Sequence, residues 1–279
     1  MPDLEYVIAP PKKIISIDWG ELWRYRDLFV VLAWRDIAVR YKQTALGALW
    51  AILQPFVTMV VFTFIFHNLG KVPSDFNAPY PIFLYVGLLF WEYYANTVTN
   101  AANSMVANAP LIQKIYFPRL IIPATAATTG LVDFSLAAGV LAGMMVYYGY
   151  CPSLAGILLI PMLLICAVLS ALGVGLFLAS MNVRYRDIRH VLPFFLRIMM
   201  FVTPVIYSAG LLDSRPMLKT LMLWLNPISG VIAGARAAIL GRGPVDWSVI
   251  AITFFMSVVF FMLGLYYFRN TERGFADIV

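Results

Sequence analysis

The sequence predicts an all-α, polytopic membrane protein with six transmembrane helices. An N-terminal amphipathic interfacial helix and re-entrant gate helices before the last span complete the expected fold. Three observations lead there. The 279-residue chain is 62% hydrophobic and only 12% charged, where soluble domains carry about 25% charged residues. Its mean hydropathy is +0.82. Its apolar residues gather into six runs, each near the ~20 residues needed to cross ~30 Å of hydrocarbon.

The elements follow in order. Residues 1–20 form a polar arm with Asp3, Glu5, Lys12, Lys13 and Asp18, without the apolar core that a cleavable signal places behind a basic start. From Glu21 to Lys42 the pattern turns helical but stays too charged to span. At 100° per residue Trp23, Val30, Trp34, Ile37 and Tyr41 share one stripe, and Arg24, Asp27, Arg35 and Lys42 share another about a quarter turn away. Arg40 adds to the basic content. Aromatic on one side and basic on another suits a helix lying in the headgroup region; the other reading is an extension of the first span. The arm and this helix make up 1–44.

The membrane domain is then 45–268, with spans at about 45–67, 81–105, 122–148, 154–181, 191–212 and 246–268. Pro161 makes the fourth the weakest of them. The stretch 213–245 is too rich in Pro and Gly for a plain span, yet Leu218–Leu240 is apolar enough for re-entrant helices or for a hidden seventh crossing. A short tail, 269–279, follows. Lys and Arg concentrate in the arm, in the second–third loop (Lys114, Arg119), in the fourth–fifth loop (Arg184, Arg186, Arg189) and in the tail (Arg269, Arg273). The first–second loop carries only Lys71, the third–fourth carries none, and Arg215, Lys219, Arg236 and Arg242 are spread over the long fifth–sixth stretch. By the positive-inside rule both termini are cytoplasmic.

Charged groups at membrane depth are functional candidates by default. In the second span Tyr85, Glu92, Asn96, Thr99 and Asn103 fall within a narrow arc, which reads either as the wall of a hydrated path or as a helix contact joined by amide hydrogen bonds. Phe90, Trp91, Tyr93 and Tyr94 crowd around the acid. Aromatic faces stack on the C–H faces of sugars, so these rings are candidates for a glycan path. In the third span Asp133 shares a face with Thr125 and Thr129, and pairing to a hydroxyl or an arginine is the expected state of such an acid. Gly139 and Gly143 give a GxxxG spacing that is too common to specify a partner.

Several chemistries are missing. There is no GxxxxGK phosphate loop followed by Ser or Thr, no HExxH and no nucleophile elbow. Cys151 and Cys166 have no metal-ligand spacing, and His67 and His190 are single and far apart. No metal or cofactor is expected on this chain. Basic residues are scattered rather than gathered into a patch, so a nucleic-acid partner is not expected. A chain without a nucleotide loop needs another subunit if its transport is active.

Five segments carry a resemblance. They are WRDIAVRYKQTALGALWAILQP (Trp34–Pro55), YPIFLYVGLLFWEYYANTVTNAANSMVANAPLIQKIYFPRLIIP (Tyr80–Pro123), NVRYRDIRHVLPFFLRIMMFVTPVIYS (Asn182–Ser208), LNPISGVIAGAR (Leu225–Arg236) and RGFADIV (Arg273–Val279). In this order they resemble the permease subunits of ABC-2 type polysaccharide exporters, in particular O-antigen export permeases. The resemblance implies a homodimer that binds two nucleotide-binding ATPase subunits, which would hold the ATP and Mg. It implies movement of a lipid-linked polysaccharide across the bacterial inner membrane through a channel between protomers. Carried onto this sequence, the interface helix is Trp23–Lys42, and the coupling segment is Leu111–Arg119 with Leu111, Ile112, Lys114, Tyr116, Phe117 and Arg119. The outer gate lies around Leu218–Leu240. Arg184, Arg186, Arg189 and Asp187 stand to face ATPase acids or lipid phosphates, or simply to anchor the cytoplasmic side. Wall teichoic acid or capsular polysaccharide are alternative cargoes. A membrane enzyme of polyprenyl-linked sugars would need clustered acids or histidines that are not present here, and a proton-coupled carrier would have only Glu92 and Asp133 as a relay.

Overall fold

The computed structural model describes residues 19–42, 47–185, 187–212, 214–241 and 246–272. Among these the regular structure is helical throughout. The arm, Arg186 and the RGFADIV tail lie outside the described residues.

Two short helices, α1 (Trp19–Arg24) and α2 (Arg26–Lys42), precede the long ones. Then come α3 (Leu49–Phe62, continued by a π-turn at Thr63–Leu69), α4 (Tyr80–Ala107), a one-turn α5 (Ala109–Lys114), α6 (Ile121–Tyr148) and α7 (Leu154–Arg184). The chain closes with α8 (Ile188–Val202), α9 (Pro216–Leu225), α10 (Pro227–Leu240) and α11 (Trp247–Thr271). Local chemistry sets several ends. The Ser153 hydroxyl accepts from Gly156 N at 3.0 Å, and Asp246 accepts from Ser248 N and Val249 N, which satisfies first-turn N–H groups. Gly149 closes α6 with φ +70°, a left-handed C-cap that glycine takes without a Cβ penalty.

Among the described residues four helices are long and apolar enough to cross a membrane: Leu49–Leu69, α6, α7 and α11. The other two expected spans differ from expectation for distinct reasons. Helix α4 has 28 residues, about 42 Å at 1.5 Å per residue, but Glu92, Asn96, Asn100 and Asn103 make it less apolar. It is the axis of the bundle, covered by α3, α6, α7 and α10, so lipid does not have to solvate it. Helix α8 is shorter than the expected 191–212. Its 15 residues end at Val202, and the chain continues as turn and 3-10 helix. The stretch 213–245 is not one straight crossing either: α9 and α10 are bent by 106° at Asn226. Pro161, by contrast, is absorbed within a continuous α7.

Helices α7 and α11 pack backbone against backbone. A Cβ on Gly264 would stand 1.9 Å from the carbonyl oxygen of Gly173, so the two backbones touch. Close approach through small residues is how membrane helices gain packing when apolar burial gives no net drive. One large core surrounds the first half of α4, and a second, smaller one closes the end where α4, α5, α6, α7 and α11 meet.

Candidate functional site

The loop between α4 and α6 divides into an anchor and an outward face. Phe117 is only 4% exposed, and with Ile112 it sits in the smaller core among Met105, Val183, Leu265 and Phe268. Its neighbour Tyr116 is 81% exposed, and Ile115 and Lys114 are exposed beside it. Two adjacent aromatics therefore do opposite things, one buried as a plug and the other presented outward. Leu111 packs at the edge of that core. The Arg119 guanidinium donates to the carbonyl of Glu272, which fixes the loop to the end of α11. The Glu21 carboxylate near Tyr116, with partial burial, pushes its phenol above the usual range. Arg184 and Asp187 are exposed at the same end of the bundle, flanking the turn from α7 to α8.

Helix α2 is tied to this loop. Arg35 donates to Asn108 Oδ1 at 2.8 Å and pairs with Asp36 at 2.7 Å. Asn108 is both the C-cap of α4 and the N-cap of the α5 turn, and its amide donates back to Ser104 O at 2.9 Å. Thr125 Oγ1 donates to Asp36 at 3.2 Å. Farther along, Arg40 pairs with Asp133 at 2.7 Å and Tyr41 donates its hydroxyl to the same carboxylate. Asp36 meets Thr125 and Arg40 meets Asp133, so α2 runs beside about two turns of α6. Asp133 is twelve residues into α6, about 18 Å along its axis. On α2, Leu32 and Ala33 are buried against the bundle, while Trp34 is exposed, as is Trp23 on α1. Lys42 is exposed at the end of the helix.

The α4 stripe and the aromatics beside it are dispersed among four environments. Tyr85, Phe90 and Tyr93 are buried in the large core, with the Tyr85 hydroxyl donating to Ala137 O at 3.0 Å. Trp91 and Tyr94 edge an apolar cavity of about 570 Å³ under α8, against α7 and α11. Glu92 and Asn96 face a cavity of about 450 Å³ between α2, α3, α4 and α6, which Arg40, Tyr41, Gln54 and Asp133 also line. Asn103 opens onto a neighbouring cleft with Asn100, Ser104, Arg35, Asp36 and Arg40. Arg40 borders both, so polar side chains run from the Asn108 turn to the Glu92 level. A 3.6-residue period shows which residues share a face, but not which neighbour covers it.

Arg236, one of the basic residues scattered over the fifth–sixth stretch, is not a loop charge: it is 1% exposed. Its guanidinium donates to the carbonyls of Phe83 (3.2 Å), Pro204 (2.7 Å), Val205 and Tyr207 (3.2 Å) and stacks 3.6 Å from the Phe83 ring centroid. Tyr80 Oη donates to the remaining carbonyl of that row, Ile206 O, at 2.6 Å. Four consecutive carbonyls of the non-helical 203–208 segment are thus satisfied. Irregular backbone inside a bundle requires this, because an unmet polar group costs several kcal/mol there. A Cβ on Gly87 would stand 2.6 Å from Arg236 Nη2, which makes room for the guanidinium the reason for that glycine. The signal available in the sequence was NPISGVIAGAR, where one arginine follows ten uncharged residues.

Among the described residues no group of three His, Cys, Asp or Glu side chains is placed to hold a metal. Comparison with known proteins gives a consistent picture. The sequence profile of the ABC-2 type transporter family matches residues 27–240. The chain is 29% identical over 253 residues to an O-antigen export system permease protein RfbA of Klebsiella pneumoniae, covering 91% of this chain and 95% of that one. It is 28% identical over 260 residues to the protein of the same name from Myxococcus xanthus, covering 93% and 98%.

Proposed function

The chain belongs to the ABC-2 type transporter family, and from that membership we propose that it is the transmembrane subunit of an ATP-driven exporter of lipid-linked, long-chain polysaccharide of the O-antigen type. Two copies form the channel in the bacterial inner membrane, and two separate ATPase subunits hold ATP and Mg on the cytoplasmic side. The names of the relatives support the cargo class. The missing phosphate loop supports a separate motor.

The observation that carries the reading is the contrast between Tyr116 and Phe117. A segment that receives force from a partner needs an exposed face to be pushed and a buried foot to pass the push on. Tyr116, Ile115 and Lys114 supply the face; Phe117 and Ile112 supply the foot, seated among α4, α6, α7 and α11. Interiors are packed too densely to absorb displacement locally, so movement of this foot shifts the helix ends together. Through Arg35 on Asn108 the same movement reaches α2. Arg184, Arg186 and Asp187 extend the docking face on the neighbouring turn, and Trp23, Trp34 and Lys42 seat α2 against membrane lipid. The α4 residues from Tyr85 to Asn103 border the route of the glycan.

The test is a pair of substitutions in the complex reconstituted with its ATPase in vesicles. Tyr116→Ala leaves thermal stability within about 0.5 kcal/mol, as surface changes do, but separates ATP hydrolysis from glycan export. Phe117→Ala lowers stability by about 3–5 kcal/mol, the usual cost of truncating a buried ring. Normal coupling in the Tyr116 variant would remove the transmission role, and failure of the chain to co-purify with any ATPase would remove the exporter reading itself.

A further inference from the structure

The cavity of about 450 Å³ beside Glu92 borders the glycan route proposed above, and its composition says more than a route wall requires. Its size is that of a small-molecule site, and its polar groups converge from four helices: Arg40, Gln54, Glu92, Asn96 and Asp133, with the Trp50 ring at its edge. Two of these carboxylates are held differently. Asp133 already has Arg40 and Tyr41. Glu92 has one hydrogen bond among the described residues, from Gln54 Nε2 at the long distance of 3.5 Å. A partly buried carboxylate can accept about four hydrogen bonds and is costly to leave so poorly served. The cavity thus has unused acceptor capacity on Glu92, amides on Gln54 and Asn96 that both donate and accept, and an aromatic surface.

We propose that this cavity is a binding site for a neutral, hydroxyl-rich sugar ring. Vicinal hydroxyls donate to the Glu92 carboxylate, the Asn96 amide bridges a further hydroxyl, and the Trp50 ring covers an apolar C–H face. Acids outnumber the cation two to one around the space, so a phosphate group is repelled. The site takes the uncharged repeat of a glycan rather than the charged end of its carrier. Its walls come from within a single protomer, away from Trp91 and Tyr94 on the α8 side. The proposal rests on the exporter reading for its biological sense, but its binding chemistry is testable without export.

The measurement is saturation-transfer NMR on purified, detergent-solubilised protein titrated with D-glucose, D-galactose, D-mannose and N-acetylglucosamine, with methyl phosphate as the anionic control. At least one sugar binds in the millimolar range and methyl phosphate does not compete. Glu92→Gln weakens that binding about tenfold, the loss expected for one charge-assisted hydrogen bond, and Trp50→Leu weakens it further, with both variants eluting as the wild type does in size-exclusion chromatography. If both variants elute as aggregates, Asn96→Ala in an otherwise wild-type chain takes their place, with the same expected weakening. Absence of sugar binding by the wild type, binding indifferent to the substitutions, or displacement by methyl phosphate each overturn the site. Should export persist in vesicles while no sugar binds, the site is wrong and the exporter reading stands.

Discussion

Two arginines in this molecule are handled in opposite ways. Arg236 is enclosed by backbone carbonyls from α4 and the 203–208 segment and lies over Phe83. Arg40 is 38% exposed on its side chain and meets the Asp133 carboxylate, itself 14% exposed, across the join between α2 and α6. Planar, five-donor geometry explains the first: a guanidinium can serve several carbonyls at once where an ammonium cannot. The second is an ion pair between elements adjacent only through folding. The contrast separates a clamp, which makes three segments one body, from a contact that two bodies can make and break.

The largest effect expected is at the clamp. Arg236→Leu leaves the carbonyls of Phe83, Pro204, Val205 and Tyr207 without their donor, at about 1–3 kcal/mol for each buried group. Together these losses are of the same order as the whole margin of a typical protein, so no monodisperse protein is recovered by size-exclusion chromatography in detergent. Arg236→Lys keeps the charge but loses the fork, and it melts well below the wild type. A Leu variant with wild-type melting would end the clamp interpretation.

Next comes the pair. Asp133→Asn removes the negative charge that faces Arg40 but leaves Tyr41 an acceptor. Between the near-zero value of exposed pairs and the larger cost of breaking buried ones, about 1–2 kcal/mol is expected. A double-mutant cycle with Arg40→Gln measures the coupling from thermal melts. If Asp133→Asn proves as damaging as Arg236→Leu, then α2 is part of the rigid body and the distinction collapses.

The smallest effect probes a terminus that belongs to neither. Asp246 caps α11, and its hydrogen bonds with Ser248, together with Val249 N, hold its carboxyl below the usual value. A depressed folded-state pKa means the contribution is present above the unfolded value and is lost as pH falls through the folded one. Asp246→Ala costs about 1 kcal/mol at neutral pH, and this difference from the wild type shrinks when melts are repeated in acid. A difference unchanged down to the lowest pH would show that the cap is not ionic.

The same contrast measures how much was legible beforehand. The helical fold class and four long apolar spans were, because apolar run length reports directly on hydrocarbon thickness. That Asp133 should meet an arginine or a hydroxyl was legible from the cost of a lone acid; that these are Arg40 and Tyr41, more than ninety residues away, was not, since nothing local records how α2 lies on α6. Arg236 was counted as a loop charge because a tally of basic residues contains no burial. The α4 stripe gave a shared face without its covering: Tyr85 is buried in the core, Glu92 and Asn96 line the polar cavity, and Asn103 lines the neighbouring cleft. The second expected span, 81–105, corresponds to α4, whose polar residues leave it less apolar than the four long spans and whose position at the bundle axis removes the need for an apolar surface. Arg186 falls outside the described residues, so its part in the docking face rests on the sequence resemblance.

The 106° elbow at Asn226 has an electrical consequence. Helix α9 ends and α10 begins at this one residue, so the partial negative charge of one terminus, about half a unit, meets the partial positive charge of the other. The two nearly cancel, and the Asn226 amide is further occupied by Thr203 Oγ1 at 2.7 Å. A broken helix whose ends face open space would attract ions. This one has both ends folded onto each other, so the chain reverses direction without leaving a net pole.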